Sequence, residues 1–184
     1  MRVYLDNVAD SGRILGDLDP AAEMEALRQI VEAGRTGVIE LVTSRESWRE
    51  QERTNDPVKR AKLKAARCDI ATVARDHTVL GHHSQMGMLG TTVVGPLATD
   101  IVDNALYTDL IAILGLEAAD ERRRADPRHL TYAATNACVR FVTLDHGLLG
   151  QRTALDARCE PLCIVKPSEL VAELSASPRA RDSI

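Results

Sequence analysis

The chain has 184 residues, 45% hydrophobic and 27% charged, with aromatics at 3%, the make-up of a globular domain whose core is aliphatic. A formal charge of −4 and a pI near 5.7 exclude a protein that coats nucleic acid through an overall positive field. The length suits one domain better than two separate cores.

The opening segment Met1 to Asn7 reads as a strand that Asp6 closes. Asp6 falls where a signal peptide would be apolar, and the Gly- and Pro-broken stretch Met86 to Ala98 is shorter than the roughly 20 residues of a bilayer span. A soluble, cytoplasmic chain without membrane contact is therefore expected. Asp19 and Pro20 read as an N-cap and first helical residue, followed by the apolar stripe Met24, Leu27, Ile30 and Val31 and a stop at Gly34. Gly37 to Thr43, rich in Val, Ile and Leu, reads as a strand buried on both faces of a parallel sheet.

Helices are expected over Arg45 to Arg53 and from Asp56-Pro57 through Arg67, the second with a solvated basic face of Lys59, Arg60, Lys62, Lys64 and Arg67. Cys68 to Asp103 reads as an insertion or cap, with a short strand at Thr78 to Leu80. Leu106 to Leu116 reads as a buried helix, Asp126 to Ala137 as a second, and Cys138 to Thr143 and Pro161 to Val165 as strands. Ser168 is expected to cap a last helix through Leu174, and residues 175–184 to form a disordered polar tail. Cys68, Cys138, Cys159 and Cys163 lack zinc-ribbon spacing and a secretory context, so ordinary buried thiols are expected. His82-His83 has no spaced third ligand and reads as loop chemistry.

Four acids, Asp6, Glu50, Asp126 and Asp145, fall at strand ends or helix starts, where a parallel sheet opens its ligand crevice. Each has a plainer reading. Asp126 before Pro127 can cap a helix, Asp145 before His146-Gly147 can form a turn, Asp6-Asn7 can end a strand in a turn, Ser47 and Glu50 can form a capping box, and Thr43 can cap a helix start for Glu46. In combination, clustered carboxylates raise one another's pKa and call for a neutralising cation, for which Mg²⁺ and Mn²⁺ suit an oxygen-only set.

These residues carry a resemblance to the PIN-domain ribonucleases. It runs from Val3-Tyr4-Leu5-Asp6 through Asp126-Pro127-Arg128-His129 and Phe141-Val142-Thr143-Leu144-Asp145 to the closing Ile164-Val165-Lys166 and Ser168-Glu169-Leu170, covering about residues 1–170. The resemblance implies an α/β fold, a three-layer α/β/α sandwich on a parallel sheet, as one domain over 1–174 with a variable insertion near 68–103. It further implies an endoribonuclease that cuts single-stranded RNA with Mg²⁺ or Mn²⁺ held by Asp6, Glu50, Asp126 and Asp145, with Asn7 and Thr143 nearby. The family spacing from Ser44 selects Glu50, while Glu46, one turn earlier on the same face, could substitute. Arg13, Arg45, Arg49, Arg53 and Arg128 fall near the site-facing elements, where guanidinium forks hold phosphates. His129 shares a face with Asp126 and reads as a structural or surface-exposed histidine. Toxin-type relatives would add an antitoxin-like protein and a homodimer as partners. The runner-up is a catalytically silent PIN-like scaffold binding RNA or protein. A phospho-acceptor receiver domain fits poorly, because no Lys follows Asp145 before Lys166.

Overall fold

Val3, Tyr4 and Leu5 are consecutive and fully buried, so the first strand, β1 (Arg2–Leu5), must be covered on both faces. The computed structural model, which describes residues 1–16, 21–66, 71–72, 97–116 and 125–176, shows how. β1 pairs in parallel with β2 (Glu40–Thr43) on one side and with β4 (Arg140–Val142) on the other. The edges are β3 (Ala71–Thr72), paired with β2, and β5 (Cys163–Val165), paired with β4. The sheet is all-parallel in the order β3-β2-β1-β4-β5, with β3 a two-residue edge. Its chain order reverses direction between β1 and β4, the place where open α/β sheets bind ligands beyond the carboxyl ends of their strands.

The helices are α1 (Asn7–Leu15), α2 (Ala21–Arg35), α3 (Arg45–Glu52), α4 (Pro57–Ala65), α5 (Leu97–Ile113), α6 (Ala125–Thr135), α7 (His146–Gly150), α8 (Arg152–Cys159) and α9 (Pro167–Ala176). Strand residues alternate between two cores, as a period of two requires. Tyr4, Val42, Phe141 and Ile164 pack with Leu106 and Leu110 of α5, Leu130 of α6, Leu148 of α7 and Leu155 of α8. Val3, Leu5, Leu41, Val142 and Val165 pack with Ala9 of α1, Leu27 and Ile30 of α2 and Leu170 of α9. The sheet is thus flanked by helices on both faces, a layering consistent with a three-layer α/β sandwich. The sparse aromatics are concentrated at its centre, where Tyr4 stacks on Phe141 with ring centroids 5.2 Å apart. Gly34 lets α2 approach β2 closely, since a Cβ there would sit 3.0 Å from Leu41 Cβ.

Several sequence expectations change. α1, α7 and α8 replace segments read as turns or left unread, because α1 and α7 depend on caps rather than on a long apolar stripe. The strands are shorter than expected, trimmed to Glu40–Thr43, Arg140–Val142 and Cys163–Val165 by where neighbouring backbones pair. α5 starts at Leu97, inside the stretch read as an insertion, and packs on α6 and α8. Ser168 does not cap α9 but lies within it, where its N–H and hydroxyl donate to Glu23 at 3.0 and 2.7 Å and tie α9 to α2. Cys138 and Cys159 are buried thiols, pushed up to about 12 and about 11 by burial, whereas Cys163 is half-buried. Asp19, Pro20, Arg67, Cys68, the Thr78 to Leu80 strand, His82, His83, Glu121 to Arg124 and the tail from residue 177 lie outside the described residues. Among the described residues, no helix is long and apolar enough to cross a membrane.

Candidate functional site

β1 delivers Asp6 to the carboxyl edge of the sheet, where it is 3% exposed and caps α1. Asp6 Oδ1 accepts from Asn7 N at 2.8 Å and Oδ2 from Thr143 Oγ1 at 2.7 Å. Thr143, fully buried beyond β4, also accepts from Asp145 N at 3.0 Å, so one hydroxyl ties the ends of β1 and β4 together. Asp145 caps α7, with Oδ1 accepting from Gly147 N and Leu148 N at 2.7 and 3.0 Å. The sequence suggested turns at Asp6 and Asp145, and each instead caps a helix. Capping and the Thr143 hydroxyl together engage both oxygens of Asp6, and capping engages one of Asp145.

Asp126 behaves differently. It sits in the first turn of α6 and, among the described residues, accepts no backbone hydrogen bond. Burial first, then Asp6, Asp145 and Glu50 push its carboxyl up to about 7, against an opposing pull from His129. Four acids separated widely in sequence thus act on one another at the sheet edge. Among the described residues, no three His, Cys, Asp or Glu side chains are arranged as a ready ligand group for a metal ion. Neighbouring acids without a closed cage suit Mg²⁺, which keeps several waters and takes one or two carboxylates plus substrate phosphate. The donors are hard oxygens, the ligand type that Mg²⁺ and Mn²⁺ take.

The two glutamates of α3 part company. Glu46, at 1% exposure, accepts from Arg128 Nη1 at Oε1 and from Arg49 Nη1 at Oε2, both at 3.1 Å. Burial raises its carboxyl, but Arg128 and Arg49 outweigh burial and hold it below the usual range. Thr43 does not cap this helix; its hydroxyl donates to Leu5 O and pairs with Ser47, and Ser44 takes the N-cap position. Glu46 is therefore a structural anchor, and Glu50 is the α3 acid that faces the cluster electrostatically.

Glu50 Oε2 lies 2.9 Å from His129 Nε2. His129 Nδ1 lies 2.7 Å from the Tyr4 hydroxyl, which donates to Ser44 Oγ at 2.6 Å. Burial lowers the imidazole pKa, yet Tyr4, Glu50 and Asp6 overcome it and hold His129 well above its ordinary value. This histidine, read from sequence as structural or surface-exposed, is buried and touches the acid cluster; its place one turn after Asp126 was the available signal.

No family model, curated protein or solved structure matches the chain.

Asn7 is half-buried and accepts from Ser11 Oγ at 2.9 Å. Arg13 is engaged by Asp10 at 3.0 Å, and Gln51 donates to the other Asp10 oxygen at 3.2 Å, joining α1 to α3. Arg49 keeps 46% of its side chain exposed while bound to Glu46, whereas Arg128 is buried against it. The Arg45 side chain lies outside the described residues, and Arg53 is exposed at the end of α3. A cleft of about 320 Å³ beside Asp126 and Asp145 is bordered by Leu114, Leu116, Leu148 and Gln151. A larger hollow of about 450 Å³, bordered by Met1, Gly37 and Glu40, lies at the amino ends of the strands, away from these acids.

The raised Asp126 carboxyl has a measurable consequence. Between its ordinary value of 3.8 and about 7 the folded protein holds a proton that the unfolded chain has released, so stability falls as pH rises through that window. Asp126→Asn cannot ionise and should lose this slope. In metal-free melts the variant should match the parent near pH 5 and exceed it near pH 8 by on the order of 2 kcal/mol, after allowing for solvent screening. Equal pH slopes in the two proteins would show that Asp126 carries no such strain.

Proposed function

We propose that the protein is a PIN-like, metal-dependent endoribonuclease that hydrolyses phosphodiester bonds of single-stranded RNA, in the manner of toxin-type members of that family. The supporting observation is that Asp6, Asp145 and Glu50 all act on the buried carboxyl of Asp126, which with burial is pushed up to about 7. These four would hold Mg²⁺ or Mn²⁺, which when bound polarises a phosphoryl oxygen and lowers the pKa of water. The chain's own contribution is orientation. Thr143 fixes Asp6 and the Asp145 backbone, and the α7 N–H groups fix the Asp145 carboxylate.

An acidic protein still needs cationic surface to hold a polyanion. α4 exposes Lys59, Arg60, Lys62 and Lys64 and packs against α1, which Asp6 caps, and α3, which carries Glu50. Arg49 adds an exposed guanidinium on α3. Such contacts position the backbone of a strand without reading its sequence.

The test is cleavage of an unstructured RNA by the purified protein with Mg²⁺ or Mn²⁺, and with excess chelator. Product with metal and none with chelator is expected. Equal cleavage in chelator would remove the metal from the reaction. RNA retained on the protein without product under either metal would favour a silent binding scaffold.

A further inference from the structure

We propose that His129 is a positioning residue for Glu50, fixing Oε2 through Nε2 and leaving Oε1 as the oxygen available to a cation. The inference rests on the reading of Glu50 as one of the metal-holding acids. The ring is 1% exposed and both nitrogens are engaged, Nε2 by Glu50 at 2.9 Å and Nδ1 by Tyr4 at 2.7 Å. It cannot turn without losing one of them. Tyr4 is itself immobilised, fully buried, stacked on Phe141 and hydrogen-bonded to Ser44 at the start of α3. Among the described residues, Glu50 Oε1 makes no hydrogen bond.

The arrangement lets one helix do two things. α6 supplies Asp126 and, three residues later on the same face, the group that orients the acid of α3. Outer partners that orient ligating side chains are typically worth 10- to 100-fold in metal affinity. A histidine that served only to pin α6 to the sheet would need Tyr4 alone.

Two neutral replacements separate these roles, because the amide of Asn reaches about as far as Nδ1 and that of Gln about as far as Nε2. Mn²⁺ alone is titrated against the melting temperature of the wild type, His129→Gln, His129→Asn, Glu50→Gln and the His129→Asn/Glu50→Gln pair. His129→Gln should keep the Mn²⁺ midpoint within about threefold, and His129→Asn should raise it on the order of ten-fold. In the Glu50→Gln background, His129→Asn should add nothing. An Asn variant as good as or better than Gln, or an Asn effect that persists without Glu50, would overturn the proposal. If the wild type shows no Mn²⁺-dependent shift, the metal reading itself fails. The metal-free melting temperatures then decide the tether: non-additive losses at His129 and Glu50 uphold it, and additive losses overturn it.

Discussion

Asp6→Asn is expected to lower metal-dependent RNA cleavage by on the order of a thousandfold while leaving the fold intact, several kcal/mol of transition-state stabilisation being lost with the metal's anchor. The fold should survive because Asn keeps an oxygen for Asn7 N and an amide within reach of Thr143 Oγ1, and is as good a helix cap as Asp. Removing the charge also removes one of the groups that push Asp126 up, so the metal-free protein should not be destabilised. The measurement pairs a cleavage time course with a melt of the same sample. Cleavage at the parental rate with an unchanged melt would sink the nuclease reading; slow cleavage with a collapsed melt would mean that Asp6 is structural.

Glu46→Gln is expected to cost about 3 kcal/mol of stability, and so to lower the melting temperature by roughly 6–12 °C for a domain of this size. Were Glu46 only the partner of a Thr43 cap, its loss would do no more than weaken a helix start slightly. The structure replaces that expectation, because Glu46 is buried between two arginines and its loss leaves Arg128, itself 7% exposed, without its carboxylate. Glu50→Gln should behave in the opposite way, with cleavage abolished and a melt much closer to the parent. A mild Glu46→Gln melt would show that solvent reaches Arg128 when its partner is neutralised. Abolished cleavage at Glu46→Gln with an unchanged melt would move the metal-holding role back to Glu46.

β1, β2, β4 and β5 were readable in the sequence because burial on both faces demands short apolar runs, and Val3-Tyr4-Leu5 and Phe141-Val142 have no other use, whereas the two-residue edge β3 was not. The helices with long stripes or proline starts, α2 and α4, were readable for similar reasons. α1 and α7 were not, since each depends on an acid whose side chain engages backbone N–H groups at its start, which in sequence looks the same as a turn. For the same reason, the placement of Asp6 and Asp145 could be read from the chain, but their neighbours could not.

The choice between Glu46 and Glu50 marks the boundary. Sequence determined that α3 brings an acid to the carboxyl end of β2, and it offered two candidates four residues apart, which a helix of 3.6 residues per turn places on nearly the same face. Nothing local to α3 separates them. Tertiary structure decided it through α6, whose Arg128 takes Glu46 and whose His129 takes Glu50, at sequence separations of 82 and 79 residues. Which carboxylate becomes an anchor and which stays with the acid cluster depends on how two distant helices pack. A cation that satisfies a buried carboxylate need not be close to it in the chain.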